Sequence, residues 1–168
     1  EGGKAVVEYF RGLLLTLKGS SSEAMSVSVK WDGAPAVVCG TNPDNSRFFV
    51  GTKSVFAKNA KVNYTKKDIA NNHGTDELGQ KLLNCLVHLK KLNIQGVVQG
   101  DLLFTDEDIT RKNVDGKPNL TFTPNTITYA VPEAGDLGKQ IDRAKVGIIF
   151  HTTYNGETLA DMTASGGA

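Results

Sequence analysis

Two stretches of the chain carry residue types that can do chemistry. Val27-Ser28-Val29-Lys30-Trp31-Asp32-Gly33 ends a β-branched run with an amine, a carboxylate and a glycine in close succession. A strand that ends this way holds the Lys30 amine at the mouth of a sheet, and Gly33 lets the backbone turn back with no Cβ in the way. That is how a nucleophile is presented. A hairpin with a Trp-Asp-Gly turn and a solvated lysine uses the same residues, so the motif needs a partner elsewhere. Val97-Val98-Gln99-Gly100-Asp101-Leu102-Leu103-Phe104 supplies a candidate: one carboxylate inside an apolar strand. Burying an acid there is costly unless something pairs with it, which makes Asp101 a functional candidate first. Lys53, in Gly51-Thr52-Lys53-Ser54, adds a second cation. Beside Lys30 it would depress that amine's proton affinity; alone it is an exposed strand-end lysine.

Lys30-Trp31-Asp32-Gly33 resembles motif I of the covalent nucleotidyltransferases, which include ATP- and NAD-dependent DNA ligases, RNA ligases and mRNA capping enzymes. Gln99-Gly100-Asp101-Leu102 resembles their motif III, usually Asp-Gly-Glu-Leu, whose glutamate faces the nucleotide sugar and supports metal binding; Asp101 is one methylene shorter. The resemblance implies a nucleotidyltransferase (ATP-grasp-like ligase adenylation) domain with ATP and Mg²⁺ as cofactors. In it Lys30 takes the nucleoside monophosphate as a phosphoramidate, Asp101 is catalytic and metal-binding, and Asp32, Gly33 and Lys53 contact the nucleotide. The base-stacking aromatic of motif IIIa is either Tyr129 or Phe150. The implied partners are the nucleotide and RNA or DNA ends. More narrowly, the run from Val29 through Phe56, with Val98-Gln99-Gly100-Asp101-Leu102 and Phe150-His151-Thr152-Thr153-Tyr154, looks like uncharacterised proteins of tailed marine phages, which would put the protein in an infected cytoplasm. Two features depart from the pattern. Pro35 or a neighbour replaces an arginine that many ligases carry after motif I, and no Lys or Arg follows Lys145, so the Lys-x-Lys of motif V is absent from this chain. Three readings follow: a lysyl-AMP-forming ligase-like domain, truncated or complete; a non-catalytic nucleotide- or nucleic-acid-binding protein on the same fold; and an unrelated α+β structural or interaction protein.

The elements that would position these groups can be read from spacing. Val6, Val7, Phe10, Leu13, Leu14 and Leu17 share one helical face, so a helix occupies residues 1–19. Residues 25–54 form a meander of three strands, the last two at 36–39 and 48–50 around the turn cluster Thr41-Asn42-Pro43-Asp44-Asn45-Ser46. Residues 56–73, basic and amide-rich with Tyr64 among them, read as a solvated loop with a short helix, or else as a nucleic-acid contact. A helix starting at Thr75, with Asp76 and Glu77 at its positive end, runs through Leu78, Leu82, Leu83, Leu86, Val87 and Leu89 to Lys91. A second set of strands fills residues 94–154, around Pro124-Asn125 and a short helix at 136–145, and His151 is the polar residue of interest on its last strand. The sum is one α+β domain over residues 1–168, mainly antiparallel twisted sheets flanked by helices.

Composition excludes several classes. With 168 residues, 39% hydrophobic and 22% charged, the chain can bury a core and is not a disordered polymer. A net charge of +1 gives no global drive toward nucleic acid, so any such contact must be a local patch. Cys39 and Cys85 sit in apolar runs without metal spacing, which predicts buried free thiols in a reducing, cytoplasmic compartment. No run is long and apolar enough for a membrane span, and no signal-peptide pattern opens the chain, so no membrane partner is expected.

Overall fold

The computed structural model describes residues 35–124 and 128–166. The expected N-terminal helix and first meander strand, with Lys30, Asp32 and Gly33, lie outside these residues. Among the described residues the chain divides into two compact units, one of 36–101 with 150–166, the other of 35 with 102–149.

In chain order the strands are β1 (Ala36–Thr41), β2 (Phe48–Gly51), β3 (Val97–Thr105), β4 (Thr110–Val114), β5 (Lys117–Phe122), β6 (Tyr129–Pro132), β7 (Val146–Asn155) and β8 (Thr163–Gly166). The helices are α1 (Lys66–His73), α2 (Glu77–Leu89) and α3 (Asp136–Arg143). One sheet has the order β2-β1-β3-β7-β8 and the other β4-β5-β6, and every pairing with a defined register is antiparallel. The architecture is α+β, antiparallel sheets with a few helices. None of the described helices is long and apolar enough to cross a membrane.

In the first unit, β1 is buried along Val37-Val38-Cys39-Gly40, as its unbroken apolar run requires. The register sets Ala36 across from Asp101, Val38 from Gln99 and Gly40 from Val97. Side chains alternate along a strand, so Val97, Gln99 and Asp101 share a face with Ala36 and Val38. On that face Val38, Phe49 and Val97 pack with Val55 and Leu159, which come from the 3₁₀ turns Lys53–Phe56 and Leu159–Asp161. The opposite face carries Cys39, which α2 covers with Cys85. Both thiols are free and buried as expected, and burial pushes the Cys85 thiol up to about 12, so it stays protonated. Gly40 has φ +146°, and a Cβ there would meet the Gly96 carbonyl oxygen at 1.9 Å, so only glycine lets the 96–97 backbone approach this closely.

Between β2 and α2 the chain is more ordered than its composition predicts. Asn63 pairs with Val50, closing the loop after β2, and Thr65 and Asp68 form a reciprocal capping box that starts α1. The Asp68 carboxyl is held below its ordinary value, chiefly by the Tyr64 backbone N–H it accepts. α2 begins at Glu77, two residues later than read from sequence, and ends in the 3₁₀ turn Lys90–Leu92.

The second unit is built around Leu103, Phe104, Leu120, Phe122, Val131, Ile141 and Ala144. The β4–β5 hairpin turns at Asp115 and Gly116, both with positive φ, the pattern of a type I′ turn. α3 places Ile141 in this core, and Arg111 of β4 reaches Glu133 at 3.2 Å and Asp142 at 2.5 Å.

Candidate functional site

Asp101 is the one acid on β3, and its side chain is only 14% exposed. Burial raises the carboxyl's proton affinity; the adjacent His151 pulls it the other way, and burial prevails. His151 projects from β7, and its Nε2 lies 3.3 Å from Asp101 Oδ1 while its Nδ1 lies 2.7 Å from Thr152 Oγ1. A neutral ring that donates Nε2–H to Asp101 accepts the Thr152 hydroxyl at Nδ1; the imidazolium donates at both.

Two positions before Asp101 on the same face, Gln99 is buried and accepts the Tyr154 hydroxyl at its Oε1. The Tyr154 ring lies 4.4 Å, centroid to centroid, from Phe56. A second link thus joins β3 to β7, with an aromatic pair covering it. Phe56 is the last residue of the 3₁₀ turn that Lys53 opens, and Val55 and Phe56 both pack on the face carrying Gln99. Thr52 Oγ1 accepts the Ser54 N–H and fixes the entry to that turn. Lys53 itself is exposed, on a turn rather than at a strand end.

Of the residues singled out in the sequence, Asp101 is engaged as a mostly buried carboxylate should be, by His151. Phe150 is the residue before His151 on β7 and is partly buried. Tyr129 belongs to the second unit, where it stacks on Phe122 at 5.6 Å at the edge of the core cluster. Lys30, Asp32 and Gly33 are outside the described residues. Gln99 and Tyr154 are the site residues that spacing alone does not pair; the one signal is Gln99, a polar side chain in an apolar strand, and Tyr154 sits among the polar residues that end β7. Among the described residues no three His, Cys, Asp or Glu side chains gather as a metal-ligand set.

No curated protein and no solved structure matches the chain. A family model does match, over residues 1–168, and the chain belongs to that family, described as Family of unknown function (DUF6267).

Proposed function

We propose that the chain is a nucleotide-binding, nucleotidyltransferase-like domain that forms lysyl-AMP from ATP. The observation that carries this reading is the pairing of the backbone that leaves the Lys30-Trp31-Asp32-Gly33 motif. The Pro35 carbonyl accepts the Leu102 N–H at 2.8 Å, and Ala36 lies directly across from Asp101. Two residues separate Gly33 from Ala36, so the lysine motif leads straight into the partner of the strand that carries the candidate acid. Those are the two segments that the resemblance to motifs I and III requires together.

In the reaction the Lys30 amine forms a bond to the α-phosphorus of ATP, the bond from that phosphorus to the bridging oxygen breaks, and pyrophosphate leaves with the electron pair. The amine must first lose a proton, since a lysine near its ordinary pKa of about 10.4 is almost wholly charged at neutral pH. A cation brought beside it, for which Lys53 is the candidate, would favour the neutral amine. Asp101, held by His151, orients groups on the nucleotide or its metal-bound water. A single carboxylate fits Mg²⁺ that arrives with the triphosphate, because Mg²⁺ keeps several waters and takes only one or two protein carboxylates. That ion would neutralise charge on the leaving pyrophosphate. Transfer of AMP to an RNA or DNA 5′-phosphate would complete a ligase-like cycle.

The test is incubation with Mg²⁺ and ATP labelled at the α- or the γ-phosphate. An acid-labile label from α-labelled ATP only, lost in Lys30→Arg, supports the reading. No label at all overturns turnover. A second reading, nucleotide held without turnover, has one observation in its favour: Asp101 already has a partner in His151. Melting that rises with ATP but leaves no label selects it.

A further inference from the structure

We infer that the first unit carries a binding surface for the sugar–phosphate backbone of single-stranded nucleic acid, formed by Arg47, Lys53, Lys58, Lys61, Lys66 and Lys67. This goes beyond the Lys30 chemistry and stands or falls separately from it. Between positions 47 and 67 there are six cations and no acid, which leaves the rest of the chain thirteen Lys and Arg against eighteen Asp and Glu. The near-neutral total therefore hides a local excess. All six are exposed, and none makes an ion pair among the described residues.

The fold gathers them. The Lys61 N–H donates to the Ser54 carbonyl at 3.1 Å, which folds the Lys58 loop back against the turn that starts at Lys53. The neighbouring Asn63 is fixed to Val50 in both directions, by backbone bonds of 3.0 and 3.2 Å. This pins the Lys53, Lys58 and Lys61 group to the start of α1. There the Arg47 guanidinium lies 4.3 Å from the centroid of the Tyr64 ring, two residues before Lys66. Lys66 and Lys67 occupy the first turn of α1 beside Asp68, whose carboxylate is taken up by the capping box, so both lysines stay exposed and unpaired among the described residues.

Single-stranded nucleic acid fits this surface better than a membrane does. Partly exposed rings lie among the cations, Tyr64 with Arg47 against its face and Phe56 against Tyr154; both also pack on the core of this unit, so the cations supply the phosphate contacts and the rings offer a base only their exposed parts. The large exposed hydrophobic residues, Leu78, Val87 and Val114, all lie outside this stretch, so it has no apolar anchor for a lipid interface.

The experiment is fluorescence anisotropy of a labelled mixed-sequence single strand, titrated with the full chain from low to physiological salt. Binding should weaken linearly in log–log form, and about four neutralised phosphates give a slope near −3. Lys58→Glu/Lys61→Glu/Lys67→Glu should weaken binding at least 10-fold at low salt and flatten the slope by about 2. The control Lys112→Glu/Lys117→Glu/Lys139→Glu in the second unit should bind nearly as the parent does. If the reversed triple fails to fold, the corresponding Lys→Gln triple gives the same ordering with a smaller loss. Labelling by α-labelled ATP in the same variants separates this surface from the Lys30 chemistry: a lost strand with a retained label locates the fault here. No binding at low salt, equal loss in the control, or stronger binding to phosphatidylserine vesicles than to the strand overturns the inference.

Discussion

Tyr154→Phe removes one oxygen and keeps the ring, so the Phe56 contact at 4.4 Å survives while the hydroxyl that Gln99 accepts is lost. Gln99 is only 7% exposed, so its carbonyl oxygen is left buried without the donor it had. An orphaned buried acceptor costs about 1–3 kcal/mol, against the 0.5–1.5 kcal/mol that an average hydrogen bond contributes net. With a urea m-value of about 1–3 kcal/mol per molar, the midpoint should fall by roughly 1 M with m unchanged. Gln99→Met, which removes the acceptor and keeps the shape, leaves Tyr154 half-exposed and able to find water, so it should cost less. The double variant should cost less than the sum of the singles, a coupling on the order of 1 kcal/mol. Chemical denaturation followed by circular dichroism measures all four corners. Additive losses, or a Tyr154→Phe protein as stable as the parent, refute the view that this bond ties β3 to β7 beside Asp101.

Two other perturbations follow from the same geometry. Gly40→Ala must move a Cβ away from a carbonyl oxygen at 1.9 Å in a backbone with φ +146°, and it also strains the Thr41 N–H bond to that oxygen. It should destabilise by roughly 2–4 kcal/mol, visible as a large fall in the melting temperature. Asp101→Asn tests the buried carboxyl. Its proton affinity is higher in the folded than in the unfolded chain, so its stabilising contribution is fully present below the unfolded pKa and is lost as pH rises through the folded one. The non-titrating variant should therefore gain stability relative to the parent as pH climbs from 3.8 toward neutrality, and paired melting curves across that range check the sign.

Periodicity made the strong elements legible. α2 announced itself through Leu82, Leu86 and Leu89 behind an acidic first turn, β1 through an unbroken apolar run, and β3 through apolar residues on either side of Gln99-Gly100-Asp101. β4 was not legible, because Thr-Arg-Lys-Asn-Val is exposed at every position and has no alternation to read. β8 is Thr-Ala-Ser-Gly, small residues whose strand character comes from pairing with β7. α1 is the short helix expected within residues 56–73, but its bounds were not legible: only Ile69 is buried, so its start is written in the Thr65–Asp68 capping box rather than in an apolar face. Lys53 read as a strand end, yet the Thr52 side chain caps a 3₁₀ turn there. At the site, Asp101 was conspicuous as an acid among aliphatics. Its partner was not, since His151 lies fifty residues away and meets it only because β7 takes the place beside β3.

Lysyl-AMP formation, as proposed, leaves one amine, that of Lys30, covalently bonded to a nucleotide's α-phosphorus. Intact-mass spectrometry of the protein after incubation with ATP and Mg²⁺, followed by mapping of the modified peptide under non-acidic conditions, reads this directly. The expected result is a single adenylate adduct on the peptide containing Lys30-Trp31-Asp32-Gly33, reversed by added pyrophosphate and missing in Lys30→Arg. An unmodified protein, or an adduct that persists when Lys30 is replaced, contradicts it.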